Sequence, residues 1–333
     1  MNHAIPARGV VGGLCLMLAV SGAYAQQAAK AAAKPDTYPT RPVRFVAPFV
    51  PGGPSDIMSR MLAAKLSEAF GQQFIVDNRG SAGGIVGFEI GARAAPDGYT
   101  IMIAANSGFV INQHVYHKLS YNPERDFQPI SQLTQGGNVV VVHPSVKATT
   151  IKEFVSLAKS QPGKLNYATT GTGNVLGIAN FNKMAGIDMV PIAYKGTGQA
   201  VLDLVAGHVQ FFLMNPLVAI PHVKTGRLRA LAVTAMERNP ALPDLPTVDE
   251  AGVPGYRNVT WHSIVMPAGV PPRLIKRMNA EVVKAVNSPD IKDKISGDGL
   301  TVMGSTVEQL VELIKRDSAE YAKLVRDIGF QKL

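Results

Sequence analysis

From Val43 onward, short apolar runs alternate with segments whose apolar residues recur at helical spacing. Val43-Arg44-Phe45-Val46-Ala47 reads as a strand. Ile57, Met58, Met61, Leu62, Leu66 and Phe70 then share one helical face, and Gly71 supplies a stop, which predicts a helix over 55–70. A second strand is expected over 74–77, a glycine turn over 78–84, a helix over 85–94 that ends before Pro96, and a third strand over 99–104. Strands alternating with helices of this length are βαβ units, which build a mostly parallel sheet.

The pattern starts again at Val139-Val140-Val141-Val142, an apolar β run that suits a strand crossing out of the first array. Thr150 is placed to cap a helix over 151–160. Strands follow over 165–169, 190–194, 210–214 and 228–234, and the first two lead into glycine turns and helices. A proline-rich stretch over 240–254 is an irregular connection, 262–266 reads as a return strand, and helices over 272–287 and 306–328 close the chain. Two α/β arrays joined by an outward and a return strand predict two lobes, 38–138 with 260–333 and 139–259, hinged about a cleft.

Ligands of such sheets sit beyond the C-terminal ends of the strands, where these glycine turns lie. The first turn, Pro48-Phe49-Val50-Pro51-Gly52-Gly53-Pro54-Ser55-Asp56, joins a strand to a helix N-terminus. Glycine lets backbone approach a ligand closely, and the unpaired N–H groups of a first helical turn favour an anion. No nucleophile with its base is evident nearby. The expectation is a site that binds a small anion and does no chemistry on it.

Composition narrows this reading. The chain has 333 residues, 46% of them hydrophobic, enough for two cored domains. The net charge of +9 comes from scattered Lys and Arg, with no basic run interleaved with aromatics, so no nucleic-acid partner is expected. Arg8, the apolar run 10–20 and Ala23-Tyr24-Ala25 read as a signal peptide over 1–25 with cleavage after Ala25. Residues 26–37 are expected to be a loose mature N-terminus, and the product is expected in the periplasm. The one cysteine, Cys15, lies in the apolar run, so the mature chain has no thiol chemistry. Gly171-Thr172-Gly173 with Gly177 lacks the spacing of a dinucleotide turn, and no Walker lysine follows a glycine loop. His114 and His117 at i, i+3 lack a third ligand. Neither a cofactor nor a metal is expected.

Several short motifs, taken in order, carry a resemblance. They are Tyr38-Pro39 with Arg41-Pro42, Pro48-Phe49-x-Pro51-Gly52-Gly53-x-x-Asp56, Asn78-Arg79-x-x-Ala82-Gly83-Gly84 and Pro96-Asp97-Gly98-Tyr99-Thr100. Further on come Pro191 with Tyr194-Lys195-Gly196, Asp203-Leu204, Gly207, the run Gly226 to Thr234, Pro243-x-x-Pro246-Thr247 and Pro267-Ala268-Gly269. The chain resembles the Bug family of extracytoplasmic solute receptors, the tripartite tricarboxylate transporter receptors, over nearly all of 38–333. The resemblance implies a type II periplasmic-binding-protein fold with two lobes, two crossing strands and a ligand clamped between them. It also implies a small carboxylate ligand: a di- or tricarboxylate, an acidic amino acid, or a nicotinate-like acid or amide, held largely by backbone amides, hydroxyls and water. Implied partners are membrane permease subunits or a sensor protein, with the receptor itself a monomer. Gly80 and Ser81 stand where many members have Pro-Gly, and Met214-Asn215 departs from many relatives.

Mapped onto this sequence, the first lobe offers Val50, Pro51, Gly52, Ser55 and Asp56, then Ala82, Gly83, Gly84, Asn106 and Ser107. The second offers Thr169, Thr170, Gly171, Thr172 and Gly173, then Lys195, Gly196, Thr197 and Asn215. Asp56 suits either a helix cap or a ligand contact, Lys195 either a carboxylate partner or a solvated helix start, and Trp261 core or hinge packing. The rival to the receptor reading is a periplasmic enzyme acting on a small organic acid on the same fold. It needs a base and nucleophile pair in the cleft, with Ser107 and His262 the residues to test.

Overall fold

The computed structural model describes Met1 and residues 38–333, so the expected signal peptide and loose N-terminus lie outside the described residues apart from Met1. Residues 41–333 group as one unit. Eleven strands are present among the described residues: β1 Val43–Ala47, β2 Phe74–Asn78, β3 Thr100–Ala105, β4 Phe127–Gly137, β5 Val139–Val142, β6 Asn166–Thr169, β7 Val190–Ala193, β8 Phe211–Met214, β9 Arg229–Val233, β10 Val259–Pro267 and β11 Thr301–Val302. They form a six-stranded sheet, ordered β11-β4-β10-β3-β1-β2, and a five-stranded sheet, ordered β7-β6-β8-β5-β9. The parallel pairing of the βαβ units is present where β1 meets β2 and β3, and where β6 meets β7 and β8. The strands at the crossings add antiparallel neighbours: β10 pairs with β3 and β4, and β5 with β8 and β9.

The chain leaves the first sheet through the single residue Asn138, between β4 and β5, and returns between β9 and β10. Hydropathy hides β4, because Ser131, Gln132 and Thr134 are buried within it. Their polar groups are satisfied across the sheet edge: Ser131 Oγ donates to Ser305 O at 2.8 Å, and the Gln132 N–H to Ser305 Oγ at 2.8 Å. The short helical segments Ser107–Ile111, Asn112–Val115 and Pro123–Asp126 also escape the periodicity, as do two longer helices. Pro216–Lys224 starts at a proline and contains Pro221, and Pro289–Gly297 is short and polar.

Local signals otherwise act as expected. Gly71 takes φ 67° and returns its N–H to Ser67 O, which ends the helix Pro54–Phe70. Thr150 caps the helix Ile151–Ser160 by accepting from the Glu153 N–H at 3.1 Å. Each sheet has its own core. Phe88, Met102, Phe109, Phe127 and Trp261 pack on the first, and Phe154, Phe181, Phe211 and Tyr256 on the second. Trp261 is a core residue whose ring N–H donates to Asp317 Oδ2 at 2.6 Å. Among the described residues no helix is long and apolar enough to cross a membrane.

Candidate functional site

The C-terminal ends of β1, β3, β6, β7 and β8 converge on a cavity of about 90 Å³. That is room for several waters or a small organic molecule of similar size. Three helices begin at its wall: Pro54–Phe70, Thr172–Ala185 and Thr197–Val205, whose N-caps are Gly53, Gly171 and Gly196. None of the three caps has a side chain, so the first-turn N–H groups stay available and the dipoles favour an anion there. No Lys, Arg, Asp or Glu is among the lining residues. Ser55, Asn106, Ser107, Thr170, Thr197 and Asn215 supply neutral polar groups at the turns.

The expected residues divide between lining and support. Ser55, Asn106, Ser107, Thr170, Gly171, Gly173, Gly196, Thr197 and Asn215 line the cavity. Val50, Pro51, Gly52, Asp56, Ala82, Gly83, Gly84, Thr169, Thr172 and Lys195 stand outside its lining. Lys195 is exposed to solvent. Asn215 also caps its own helix, accepting from the Leu217 N–H at 3.1 Å.

Asp56 is neither cap nor wall. It lies in the first turn of its helix, is buried, and accepts from the Gly52 N–H through Oδ2 at 3.0 Å. Its Oδ1 lies 2.9 Å from Arg60 Nη2. Burial alone would raise its pKa. The contacts with Arg60, the Gly52 N–H and Asn78 outweigh burial and hold the carboxyl below its ordinary value. The carboxylate thus fixes Gly52, whose φ of 85° lies in the left-handed region that favours glycine. Asp56→Ala is expected to free this turn, lowering stability by about 1–3 kcal/mol and weakening ligand binding several-fold. Urea denaturation and titration calorimetry check both, and unchanged values would remove Asp56 from the support of the turn.

The second glycine turn supports the first. A Cβ on Gly80 would collide with Val50, and one on Gly84 would lie 3.3 Å from Pro48 O. Gly83 O accepts from Asn112 Nδ2 at 2.8 Å. Asn112 Oδ1 in turn lies 2.8 Å from Thr172 Oγ1, which is also 2.9 Å from Ser107 O; its one proton serves one acceptor at a time. Thr172 therefore ties the turn after β6 to the segment after β3. Nearer the first turn, a Cβ on Gly53 would sit 3.5 Å from Thr197 Oγ1, and a Cβ on Gly196 would strike the Val50 side chain. The loops of the two sheets are in contact around the cavity.

A family model described as the tripartite tricarboxylate transporter family receptor matches residues 58–330. The chain belongs to that family. BugT of Bordetella pertussis is 31% identical to this receptor over 94% of this chain and 97% of its own. A protein from the tcbD-tcbE intergenic region of Pseudomonas sp. is 34% identical over 96% and 93%. Among solved structures, an R. palustris protein with adipate shares 31% identity with a TM-score of 0.86, covering 89% of this chain and 100% of that one. The periplasmic binding protein BugD gives 30% and 0.85, covering 89% and 100%. MatC from Rhodopseudomonas palustris with bound malate gives 29% and 0.83, covering 86% and 100%. The receptor therefore has the periplasmic-binding-protein fold, two lobes with a helix-flanked sheet in each.

Asn138, Asn174, Phe212, Leu213, Thr260 and Ala105 also line this receptor's cavity and are not among the expected ligand contacts; neither are Phe49, Gly53 and Pro54 of the first turn, nor His262, which the sequence offers only under the enzyme reading. Asn138, Thr260 and His262 sit on or beside the crossing strands, which carry no glycine turn to mark them. A histidine between Trp261 and the run Ile264-Val265-Met266 of the return strand was the available signal for His262. That ring is 3% exposed, and among the described residues none hydrogen-bonds it. Burial drives its pKa down to about 3, so it is neutral at ordinary pH. His114 lies away from the cavity, with Nε2 3.0 Å from Ser318 Oγ.

Proposed function

We propose that this protein is a periplasmic receptor that closes two lobes, 38–138 with 260–333 and 139–259, on one small carboxylate. Its signal peptide is cleaved after Ala25, and the mature monomer delivers the ligand to membrane permease subunits of the tripartite tricarboxylate type. The observation that carries this reading is the meeting of three uncapped helix N-termini at a cavity with no charged lining residue. Such a cavity holds a carboxylate by backbone donors and hydroxyls instead of an ion pair. The adipate and malate in two structural relatives are small carboxylates and support the same class here. Closure requires that the ligand bind the closed state better than the open one, and donors from both lobes supply that difference. Ser107 and His262 both line the cavity, yet no hydrogen bond joins them among the described residues, so the proposal is a receptor without turnover.

The test is a thermal-shift screen of the chain from Gln26 against short mono-, di- and tricarboxylates, acidic amino acids and pyridine acids. A ligand at a hundred times its Kd stabilises by about 2.7 kcal/mol, and at least one acid is expected to raise the melting temperature by several degrees. A flat response across the set would overturn the carboxylate reading.

A further inference from the structure

The cavity has two chemically different ends. At the turns, the donors are first-turn N–H groups, the hydroxyls of Ser55 and Thr197, and Asn215 Nδ2, whose amide oxygen is already committed to the Leu217 N–H. At the inner end, where the crossing strands run beside the end of β3, Asn106 and Asn138 have their amide donors committed elsewhere. Asn106 Nδ2 donates to Val259 O at 3.0 Å and to Tyr321 Oη at 3.1 Å. A backbone carbonyl can only accept, so this contact fixes which way the amide faces and leaves Oδ1 as its uncommitted atom. Asn138 Nδ2 donates to Asn258 Oδ1 at 2.8 Å and to Thr260 Oγ1 at 3.2 Å, which again leaves Oδ1. His262, opposite Ala105 in the strand register, adds a buried ring with no hydrogen-bond partner among the described residues. A neutral imidazole has one acceptor nitrogen and one N–H. Asn106 and Asn138 are 2% and 5% exposed, so their free oxygens can be satisfied only from within the cavity.

We propose that this inner end selects among acids: it takes a ligand whose end distant from the carboxylate carries a hydrogen-bond donor, an amide N–H or a hydroxyl, over one that ends in a second ionised carboxylate. This inference rests on the carboxylate-receptor reading. A second carboxylate would bring acceptor oxygens against the two amide oxygens, with no Lys or Arg in the lining to offset its charge. A primary amide has nearly the same shape, presents two N–H donors, and meets Asn106, Asn138 and the acceptor nitrogen of His262. Sites built to hydrogen-bond a substrate group reject the analogue that cannot supply it.

The experiment is titration calorimetry of the mature chain with isosteric pairs: succinate and succinamate, glutarate and glutaramate, adipate and adipamate. The monoamide is expected to bind at least about tenfold tighter than the diacid in the pair that fits, the ratio set by one misplaced buried hydrogen bond. Thr260→Lys places an ammonium at the inner end and is expected to reverse the order of that pair. If the variant does not fold, the wild-type ratio decides alone. Equal affinities, or a tighter diacid, would overturn the selection and leave the receptor reading standing. Binding by no member of the pairs or of the wider acid screen would overturn both.

Discussion

Gly196→Ala is expected to remove most of the receptor's ligand affinity while leaving its stability nearly unchanged. Gly196 has φ 173°, extended backbone that any residue adopts, so alanine brings no local strain. Its new methyl would point at Val50, whose two methyl groups are wedged between Gly80 on one side and Gly196 on the other. Val50 follows β1 of the six-stranded sheet and Gly196 follows β7 of the five-stranded one, so the collision exists only when the two loops meet. Overpacking of this kind costs about 1–3 kcal/mol. Because it falls on the closed state alone, it enters the binding free energy in full, a loss of roughly tenfold to a hundredfold in Kd. Val50→Ala in the same chain removes the methyl that is struck and is expected to recover most of the loss. Titration calorimetry of the two single variants and the double variant measures that coupling. Additive effects, with no recovery in the double variant, would show that these loops do not meet when ligand binds.

This contact shows where the sequence was informative and where it was not. The glycine turns after β1, β6 and β7 are local signals, and each supplies the glycine N-cap of a helix that begins at the cavity. They were therefore legible, and so were the helix starts beside them. Which residue of each turn faces the ligand was not, because it depends on packing between loops far apart in the chain. Asp56 illustrates this: its position suggested a cap or a contact, and only the fold of the turn brings it to the Gly52 N–H. Strand β4 escapes the pattern because polar Ser131, Gln132 and Thr134 are buried among its apolar residues, the first two satisfied by Ser305, more than a hundred positions away by residue number. The same cause hid Asn138 and Thr260, and hid His262 as a ligand contact; all three become cavity residues only through the crossing strands.

His262 is expected to make the ligand-free protein lose stability as pH falls well above the range in which carboxylates titrate. In the folded chain burial lowers its pKa from 6.5 to about 3. Between those values the unfolded chain takes up a proton that the folded chain does not, so protonation favours unfolding. Each pH unit in that window costs about 1.4 kcal/mol, or about 2–3 kcal/mol on going from pH 6.5 to roughly 4.5. His114 and His222, also lowered by burial first and nearby cations second, act in the same direction. Asp56 and Asp77 act elsewhere. Both are depressed below 3.8, so their contribution is complete above that value and is lost only as pH falls through their folded pKa. The interval from about 6.5 to 4.5 therefore reports the histidines. His262→Gln keeps a neutral amide in the cavity, cannot be protonated, and is expected to flatten most of the slope there. Urea midpoints across that interval for the wild type and the variant give the comparison. Parallel slopes would mean that the ring is reached by water in the folded protein and carries no such penalty.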